Sequence, residues 1–296
     1  MAREAEPAEV LLLAHPAGHS LSPVMHDAAF HAVGLPGRYR AVDVPPAELE
    51  LWLRRLTAPP YLGANVTVPH KEAVVPFMHE LTPAARAVKA MNTIVRRGGT
   101  LVGHNTDAEG FLRALGELGQ PDGRGRAPWP QPLTGATSLV LGAGGAARAV
   151  VQALATAGST VHVLNRNAQR AERLVADLAA GSAVRPTDLP SLLPRTDLLV
   201  NSTSVGMAGG ADPDGVPLLA ADELQLLPAT AAVVDLVYRP AVTPLLQLAR
   251  ARGLVTQNGL AMLVWQGALA FEEWTGVSAP VAAMRSAAER ALGGRG

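Results

Sequence analysis

Short apolar runs alternate along this 296-residue chain with stretches in which apolar side chains recur at three- and four-residue spacing. The first pattern marks buried strands and the second marks helices with one face inward. Residues 10–14 predict a strand. Ser22 then stands where a helix N-cap belongs, followed by Pro23 and by Val24, Met25, Ala28, Ala29 and Val33 at helical spacing. A second strand is predicted over 39–44 and a second helix over 47–56. A third strand, 64–68, runs into His70-Lys71 and a further short helix. Residues 92–95 and 100–103 predict a hairpin joined through Arg97-Gly98-Gly99. A helix starts near Thr106-Asp107 and continues through Phe111 to Leu118.

The pattern breaks over 120–136, where proline and glycine are too dense for a helix or a central strand. Beyond it the alternation resumes with strands at 138–141, 160–164, 198–201 and 232–235. A glycine-rich turn and a helix follow the first of these, and the C-terminal stretch from Asn258 is helical. That is the rhythm of a parallel sheet with helices on both faces. The expected fold is α/β in two domains, consistent with the length. An N-terminal α/β substrate domain covers 1–112 and is completed by C-terminal helices, 262–296. A Rossmann-like doubly wound dinucleotide-binding domain covers 113–261. A cleft between two such domains predicts substrate on one wall and cofactor on the other.

Composition narrows the function classes. Formal net charge is zero, and no long basic run occurs, which argues against a nucleic-acid partner or an electrostatically held membrane protein. Cysteine is absent, which removes disulfides and cysteine metal sites. The apolar run near the N-terminus is short for a signal peptide and no stretch is long enough to span a bilayer. A cytoplasmic protein, monomer or homodimer, with a small-molecule substrate is the expectation. One compositional feature points at chemistry. Of 25 basic residues, only Lys71 and Lys89 are lysines. A solvated surface accepts arginine or lysine alike, but a site needing a compact, titratable ammonium cannot use arginine. Lys71 sits in Asn65-Val-Thr-Val-Pro-His-Lys71 and is the first candidate. Lys89 shares its rarity and carries no evident role.

Gly142-Ala143-Gly144-Gly145-Ala146-Ala147 follows a predicted strand and opens a predicted helix, the setting in which glycines let the backbone approach a pyrophosphate. Ala147 fills the third glycine position, where only a small side chain is needed. An NAD enzyme wants a carboxylate at the end of the next strand to hold the ribose 2′-hydroxyl. This chain has Asn165-Arg166 there, with Arg170 four residues on, so both guanidiniums can share one helical face. Two arginines suit a 2′-phosphate, and NADP is the expected cofactor.

Four polar stretches remain in the first domain: Ser20-Leu-Ser22, Asn65-x-Thr67, Asn92-Thr93 and Asn105-Thr106-Asp107. Each has a plain structural explanation, such as Ser22 or Asp107 capping a helix. Together with Lys71 they supply the hydroxyls, amides, cation and carboxylate needed to grip a small polyhydroxylated acid. Asn65 and Thr67 alternate onto one face of their strand.

These stretches, read in order, resemble the substrate-domain motifs of the shikimate dehydrogenase family: Ser-Leu-Ser-Pro, Asn-Val-Thr-x-Pro-x-Lys, Ala-Met-Asn-Thr and Gly-x-Asn-Thr-Asp. The Gly-Ala-Gly-Gly-Ala turn, Asn-Arg-x-x-x-Arg, Asn-Ser-Thr-x-x-Gly-Met and Asn-Gly-Leu-Ala-Met-Leu-Val-Trp-Gln continue the resemblance through 201–207 and 258–266. It implies NADPH-dependent reduction of 3-dehydroshikimate to shikimate, on the route to aromatic amino acids. It further implies that Ser20 and Ser22 hold the substrate carboxylate and that Thr67, Asn92 and Asp107 contact ring hydroxyls. Lys71 and Asp107 form the catalytic pair, while Tyr238 and Gln266 close the substrate site. Gly142 to Ala146, Asn165, Arg166, Arg170, Thr203, Leu236, Gly259 and Met262 face the cofactor. Ala14 and Ala261 replace glycines usual in the family, Asn167 stands where threonine is common, and the loop before Ser138 is longer. Ala261, near Gly259, bears on the nicotinamide pocket.

Hydride delivery to a ketone creates an alkoxide that must be protonated, and a lysine ammonium is a proton donor at neutral pH. Lys71 is therefore expected to be the general acid, oriented by Asp107. Quinate as substrate, or both acids, is the near alternative; a non-catalytic shikimate-sensing relative and a methylene-tetrahydrofolate dehydrogenase are more distant ones. The first of the distant pair is disfavoured by the presence of Lys71 and Asp107, the second by Ser-x-Ser and Asn-Thr-Asp.

Overall fold

The computed structural model describes residues 7–18, 20–118 and 133–293. Most of the Pro/Gly-rich segment expected to separate the domains lies outside the described residues. By contact density the chain divides into two units, Met1–Gly110 with Leu263–Gly296, and Phe111–Met262.

The first unit is built on a mixed sheet. Its elements in chain order are β1 (Ala8–Ala14), α1 (Ser22–Ala32), β2 (Gly37–Asp43), α2 (Leu49–Arg55), β3 (Tyr61–Val66), α3 (His70–Ala73), β4 (Glu80–Leu81), α4 (Pro83–Val88), β5 (Thr93–Arg97) and β6 (Thr100–His104). Helix α5 (Asp107–Leu118) follows. The strand order is β2-β1-β3-β5-β6-β4. Strands β1, β2 and β3 run parallel, whereas β5 is antiparallel to both β3 and β6. The expected hairpin is the β5–β6 pair, turning through Gly98 and Gly99 at positive φ. From Val10 to Ala14 every residue of β1 is buried, the unbroken apolar run of a strand flanked and covered on both sides.

Two local starts differ from expectation. Helix α1 begins at Ser22 itself, its N-cap is Leu21, and the Ser22 hydroxyl does not cap. The Ser20 Oγ instead accepts the Ser22 N–H at 3.1 Å. The helix expected over 47–56 is a short 3-10 turn, Pro46–Glu48, leading into α2. Helix α4 is capped by Thr82 and ends at Lys89 in the left-handed conformation, φ 53°. The second lysine is thus a helix terminator.

The second unit holds β7 (Thr137–Leu141), α6 (Gly145–Thr156), β8 (Thr160–Leu164), α7 (Ala168–Leu178), β9 (Ser182–Val184), α8 (Leu189–Leu192), β10 (Leu198–Asn201), β11 (Ala232–Asp235), α9 (Pro244–Ala251) and β12 (Val255–Gln257). Its sheet is all-parallel in the order β12-β11-β10-β7-β8-β9. This is the doubly wound dinucleotide-binding order, with the direction of winding reversing between β7 and β10. Ligands bind such sheets outside the strand ends at that reversal. Strands β10 and β11 are buried throughout, as central strands covered on both faces must be.

The chain closes with α10 (Leu260–Thr275) and α11 (Val281–Gly293). In the first unit, α11 packs on α1. Trp274 of α10 donates its indole N–H to the Ile94 carbonyl of β5 at 2.9 Å. Gly110 permits a close crossing of α5 and α10, since a Cβ there would lie 2.7 Å from the Gln266 nitrogen.

Candidate active site

In the first unit the polar stretches converge at the ends of β3, β5 and β6. Lys71 rides on α3, a single turn fixed at two points. The buried His70 ring bonds the Val44 carbonyl at 2.7 Å, and the Lys71 carbonyl accepts Met91 N–H at 2.9 Å. The second contact ties α3 to the segment leading into Asn92. The Lys71 ammonium meets Asp107 Oδ2 at 2.5 Å, with side chains only 14% and 5% exposed. A charge-assisted pair so shielded is held far more firmly than a surface ion pair.

Asp107 opens α5 but does not cap it. Asn105 does so, its Oδ1 accepting Asp107 N–H at 3.1 Å and Ala108 N–H at 3.3 Å, while its amide nitrogen donates to the Ala90 carbonyl at 2.9 Å. The capping explanation for Asp107 is therefore set aside: Asn105 satisfies the orphan helix donors, which leaves both carboxylate oxygens to Lys71 and Asn92. The Asn92 orientation is settled by a backbone group, because Thr106 N–H donates to its Oδ1 at 2.8 Å. Its Nδ2 consequently faces Thr106 Oγ1 at 2.8 Å, Asp107 Oδ1 at 3.0 Å and Gln266 Oε1 at 3.0 Å. An amide has two hydrogens, so three acceptors share two bonds and one is available to a ligand's hydroxyl.

Asn65 is spent differently. Its amide nitrogen donates to the Asn92 carbonyl at 3.0 Å and to Thr93 Oγ1 at 3.1 Å, and its oxygen accepts the Tyr39 hydroxyl at 2.8 Å. Both amide hydrogens of Asn65 are thus engaged within the protein, where they support Asn92. Thr67 stands half-buried just past β3, and Ser22 is buried at the start of α1. Lys71, Asp107, Asn92 and Gln266 thus form one bonded group, which Tyr39 joins through Asn65. Tyr39 and His26 had no assigned role in the sequence, because a tyrosine on a strand and a histidine on a helix look like core.

In the second unit the glycine turn has the form a pyrophosphate requires. Gly142 leaves β7 at φ 110°, and a Cβ there would lie 2.6 Å from Ser202 Oγ and 3.0 Å from Thr203 Cγ2. A side chain is excluded by conformation and by space. Ala143 to Ala146 are half-buried or exposed, and α6 starts at Gly145 without a side-chain cap. Free N–H groups at a helix start are an anion site in waiting. Arg166 and Arg170 are exposed beside the start of α7, which Asn167 caps through Arg170 N–H at 3.2 Å. Asn165 donates to the Asn167 carbonyl at 2.9 Å.

Thr203 is fixed by Asn201, whose Oδ1 accepts the Thr203 N–H at 2.9 Å and hydroxyl at 2.7 Å. The buried Asn201 donates in turn to Asp235 Oδ1 at 2.8 Å. Asp235 also accepts the Thr243 hydroxyl at 2.6 Å and Val237 N–H at 3.0 Å. Burial raises the Asp235 carboxyl pKa, and these bonds oppose the rise. Asn201 opens a sequence motif and Asp235 ends a predicted strand, but as strand-end polar residues they gave no hint of this knot. It sets the loop carrying Thr203 and the exit of β11 carrying Leu236 and Tyr238, both half-buried. Gly259 N–H donates to the Val237 carbonyl at 3.1 Å; Ala261 and Met262 are buried. Among the described residues no group of three or more His, Cys, Asp or Glu side chains could hold a metal ion, and no helix is long and apolar enough to cross a membrane.

Comparison with known proteins decides the family. The model of the shikimate dehydrogenase substrate binding domain matches residues 12–94, that of shikimate / quinate 5-dehydrogenase 129–207, and that of the shikimate 5'-dehydrogenase C-terminal domain 259–289. Shikimate dehydrogenase (NADP(+)) of Symbiobacterium thermophilum is 47% identical over 293 residues, covering 96% of this chain and 94% of its own. The chain belongs to the shikimate dehydrogenase family. The same enzyme of Thermus thermophilus is 44% identical over 282 residues, 95% of this chain and 98% of that one. Among solved structures, the Thermus thermophilus shikimate 5-dehydrogenase in complex with NADP(H) and shikimate superposes with a TM-score of 0.83 at 42% identity, covering 96% of this chain and 100% of that chain. Quinate dehydrogenase from Corynebacterium glutamicum in complex with NAD gives 0.82 at 30% identity, over 95% and 98%. The family fold is thus the one described above, a mixed-sheet unit and a doubly wound unit.

Proposed function

We propose that this chain reduces 3-dehydroshikimate to shikimate with NADPH, reversibly, in the cytoplasmic route to aromatic amino acids. The observation that carries the reading is the shielded Lys71–Asp107 pair, which shares Asn92 and Gln266 as neighbours. The substrate-unit residues 1–112 and 262–296 then hold the acid, and 113–261 the cofactor. Gly142 to Ala146 suit the pyrophosphate, with Asn165, Arg166 and Arg170 at the 2′-phosphate and Thr203, Leu236, Gly259 and Met262 toward the nicotinamide. When bound there, NADPH supplies the hydride.

The chain's own residues supply the rest. Ser20 and Ser22 are hydroxyl donors for the carboxylate, and Thr67, Asn92, Tyr238 and Gln266 fix the ring hydroxyls. The Lys71 ammonium donates a proton to the carbonyl oxygen as that oxygen gains negative charge. Asp107 keeps the ammonium aimed and accepts from a neighbouring substrate hydroxyl. In the oxidative direction the same nitrogen takes the proton back. Asn92, its amide polarity locked by Thr106 N–H, keeps its donors toward Asp107.

A steady-state assay crossing shikimate and quinate with NADP and NAD tests the reading. Shikimate with NADP is expected to give the highest kcat/KM. Equal or better turnover of quinate would move the chain to a broader shikimate/quinate enzyme. Preference for NAD would remove the role given to Arg166 and Arg170.

A further inference from the structure

Three groups in the first unit have no part in the mechanism above: Tyr39, Thr93 and His26. All are buried. The direction of each hydrogen bond between them can be worked out from the fixed backbone groups at its ends. Asn65 Nδ2 faces the Asn92 carbonyl, which only accepts. Asn65 Oδ1 must therefore face Tyr39, and Tyr39, having one hydrogen, must donate it. On the other side Asn65 donates to Thr93 Oγ1 at 3.1 Å. The Thr93 hydroxyl passes its own hydrogen toward Asn92 Oδ1 at 3.2 Å or Thr106 Oγ1 at 3.3 Å. Donors thus run one way, from Tyr39 through Asn65 and Thr93 to the side chain of Asn92 that faces Asp107.

The Tyr39 ring is held by a stack. His26 lies parallel to it, with ring centroids 4.4 Å apart and 9° between planes, and Trp274 leans on both at 5.4 and 6.2 Å. Neither His26 nitrogen has a hydrogen-bond partner. Burial pushes its pKa down to about 3, so the ring is neutral and serves through its faces. A buried polar ring kept without partners calls for a reason, and the stack is the contact that offers one.

We propose that Tyr39 is a positioning residue of the substrate site, acting through Asn65, with the His26 ring as the platform that holds it. The inference rests on the reading that the acid binds at Asn92. Tyr39 touches no reacting atom; through Asn65 it orders the Asn92 side chain that faces the acid. Its effect belongs in the binding of the acid, not in turnover and not in cofactor binding.

Tyr39→Phe keeps the ring and the stack and removes only the hydroxyl, leaving the buried Asn65 oxygen without its donor. In the full chain, assayed with shikimate and NADP, the KM for shikimate is expected to rise about five- to tenfold. The kcat should stay within about twofold and the KM for NADP should not move. His26→Ala, which removes the platform, should raise the shikimate KM likewise, and His26→Phe, which restores a flat ring, should recover most of that loss. A shikimate KM unchanged in Tyr39→Phe overturns the inference. So does a loss spread over kcat and both KM values, the mark of general loosening. Should Tyr39→Phe not fold, the two His26 variants decide: equal shikimate KM values in both also overturn it. A folded wild type inactive with every acid and cofactor pair would instead overturn the functional reading itself, and the inference with it; an active wild type matched by Tyr39→Phe defeats the inference alone.

Discussion

The two binding regions are built on opposite plans. In the first unit the candidate site is a web of buried side chains bonded to one another, with Asn92 alone reaching Thr106, Asp107 and Gln266. In the second unit the glycine turn offers backbone geometry, and the charged side chains around it, Arg166 and Arg170, are exposed. The members of the web are bonded to one another within the protein, so they lose little freedom on binding. The arginines are long, solvated side chains that must be ordered by the ligand. Selection among similar acids calls for fixed donors and acceptors, because an unmatched buried group is costly. A phosphate, carrying full charge, can recruit flexible partners and still bind.

The largest effect separating the two plans is expected at Lys71. Lys71→Ala should lower kcat by about 10²- to 10⁴-fold while the shikimate KM moves little, in steady-state kinetics. Lys71→Arg keeps the charge, and near-normal turnover in it would remove the argument that the web needs a lysine.

Acid should act most strongly through His26 of the first unit. The His26 pKa in the folded chain, about 3, lies below the ordinary imidazole value, so its contribution to stability is present above about pH 6.5 and is lost as pH falls toward 3. The loss approaches about 1.4 kcal/mol per pH unit, reaching a few kcal/mol near pH 4. The raised Asp235 pKa acts in the opposite sense, favouring the fold as pH falls. Chemical denaturation across pH 4–7 should show this slope, and His26→Phe should flatten it. An unchanged slope would mean that His26 is not the group protonated on unfolding.

A smaller effect belongs to the exposed pair. Arg166→Ala with Arg170→Ala should raise the NADP KM about tenfold or more and narrow the preference over NAD, with the shikimate KM unchanged. Loss of shikimate affinity in that double variant would contradict the separation of the two sites. Smallest is Asn105→Ala, which removes the α5 cap. It should cost about 1 kcal/mol of stability, read from the unfolding midpoint, with kcat reduced as Asp107 turns toward the freed helix donors.

The sequence spoke clearly where an element or a motif is local. The all-parallel second sheet followed from alternating apolar runs, and Gly142 was legible because few residues but glycine can leave a strand at φ 110°. Lys71 was legible by rarity and by neighbours. What could not be read was set by contacts distant in the chain. Whether Asn65 faces a ligand or the protein depends on Tyr39, Asn92 and Thr93, and spacing along one strand cannot say. Asp107 and Asn105 are equally good caps by composition, and only the reach of Lys71 to Asp107 separates them. Lys89 shows the limit of a compositional argument: as rare as Lys71, it stands at a left-handed helix end.

One feature of the first unit reaches back to how the chain is made. Gln266 joins Asn92 across 174 positions, and Trp274 joins Ile94 across 180. A ribosome delivers the segments bearing Lys71 and Asn92 early, and the helix that completes them only after the whole of the cofactor-binding unit has emerged. That intervening unit is continuous in sequence and can begin to fold first, as domains do during synthesis. The half of the molecule that is synthesised first is therefore finished last, and a nascent chain holds its lysine without the partners that would put it to use.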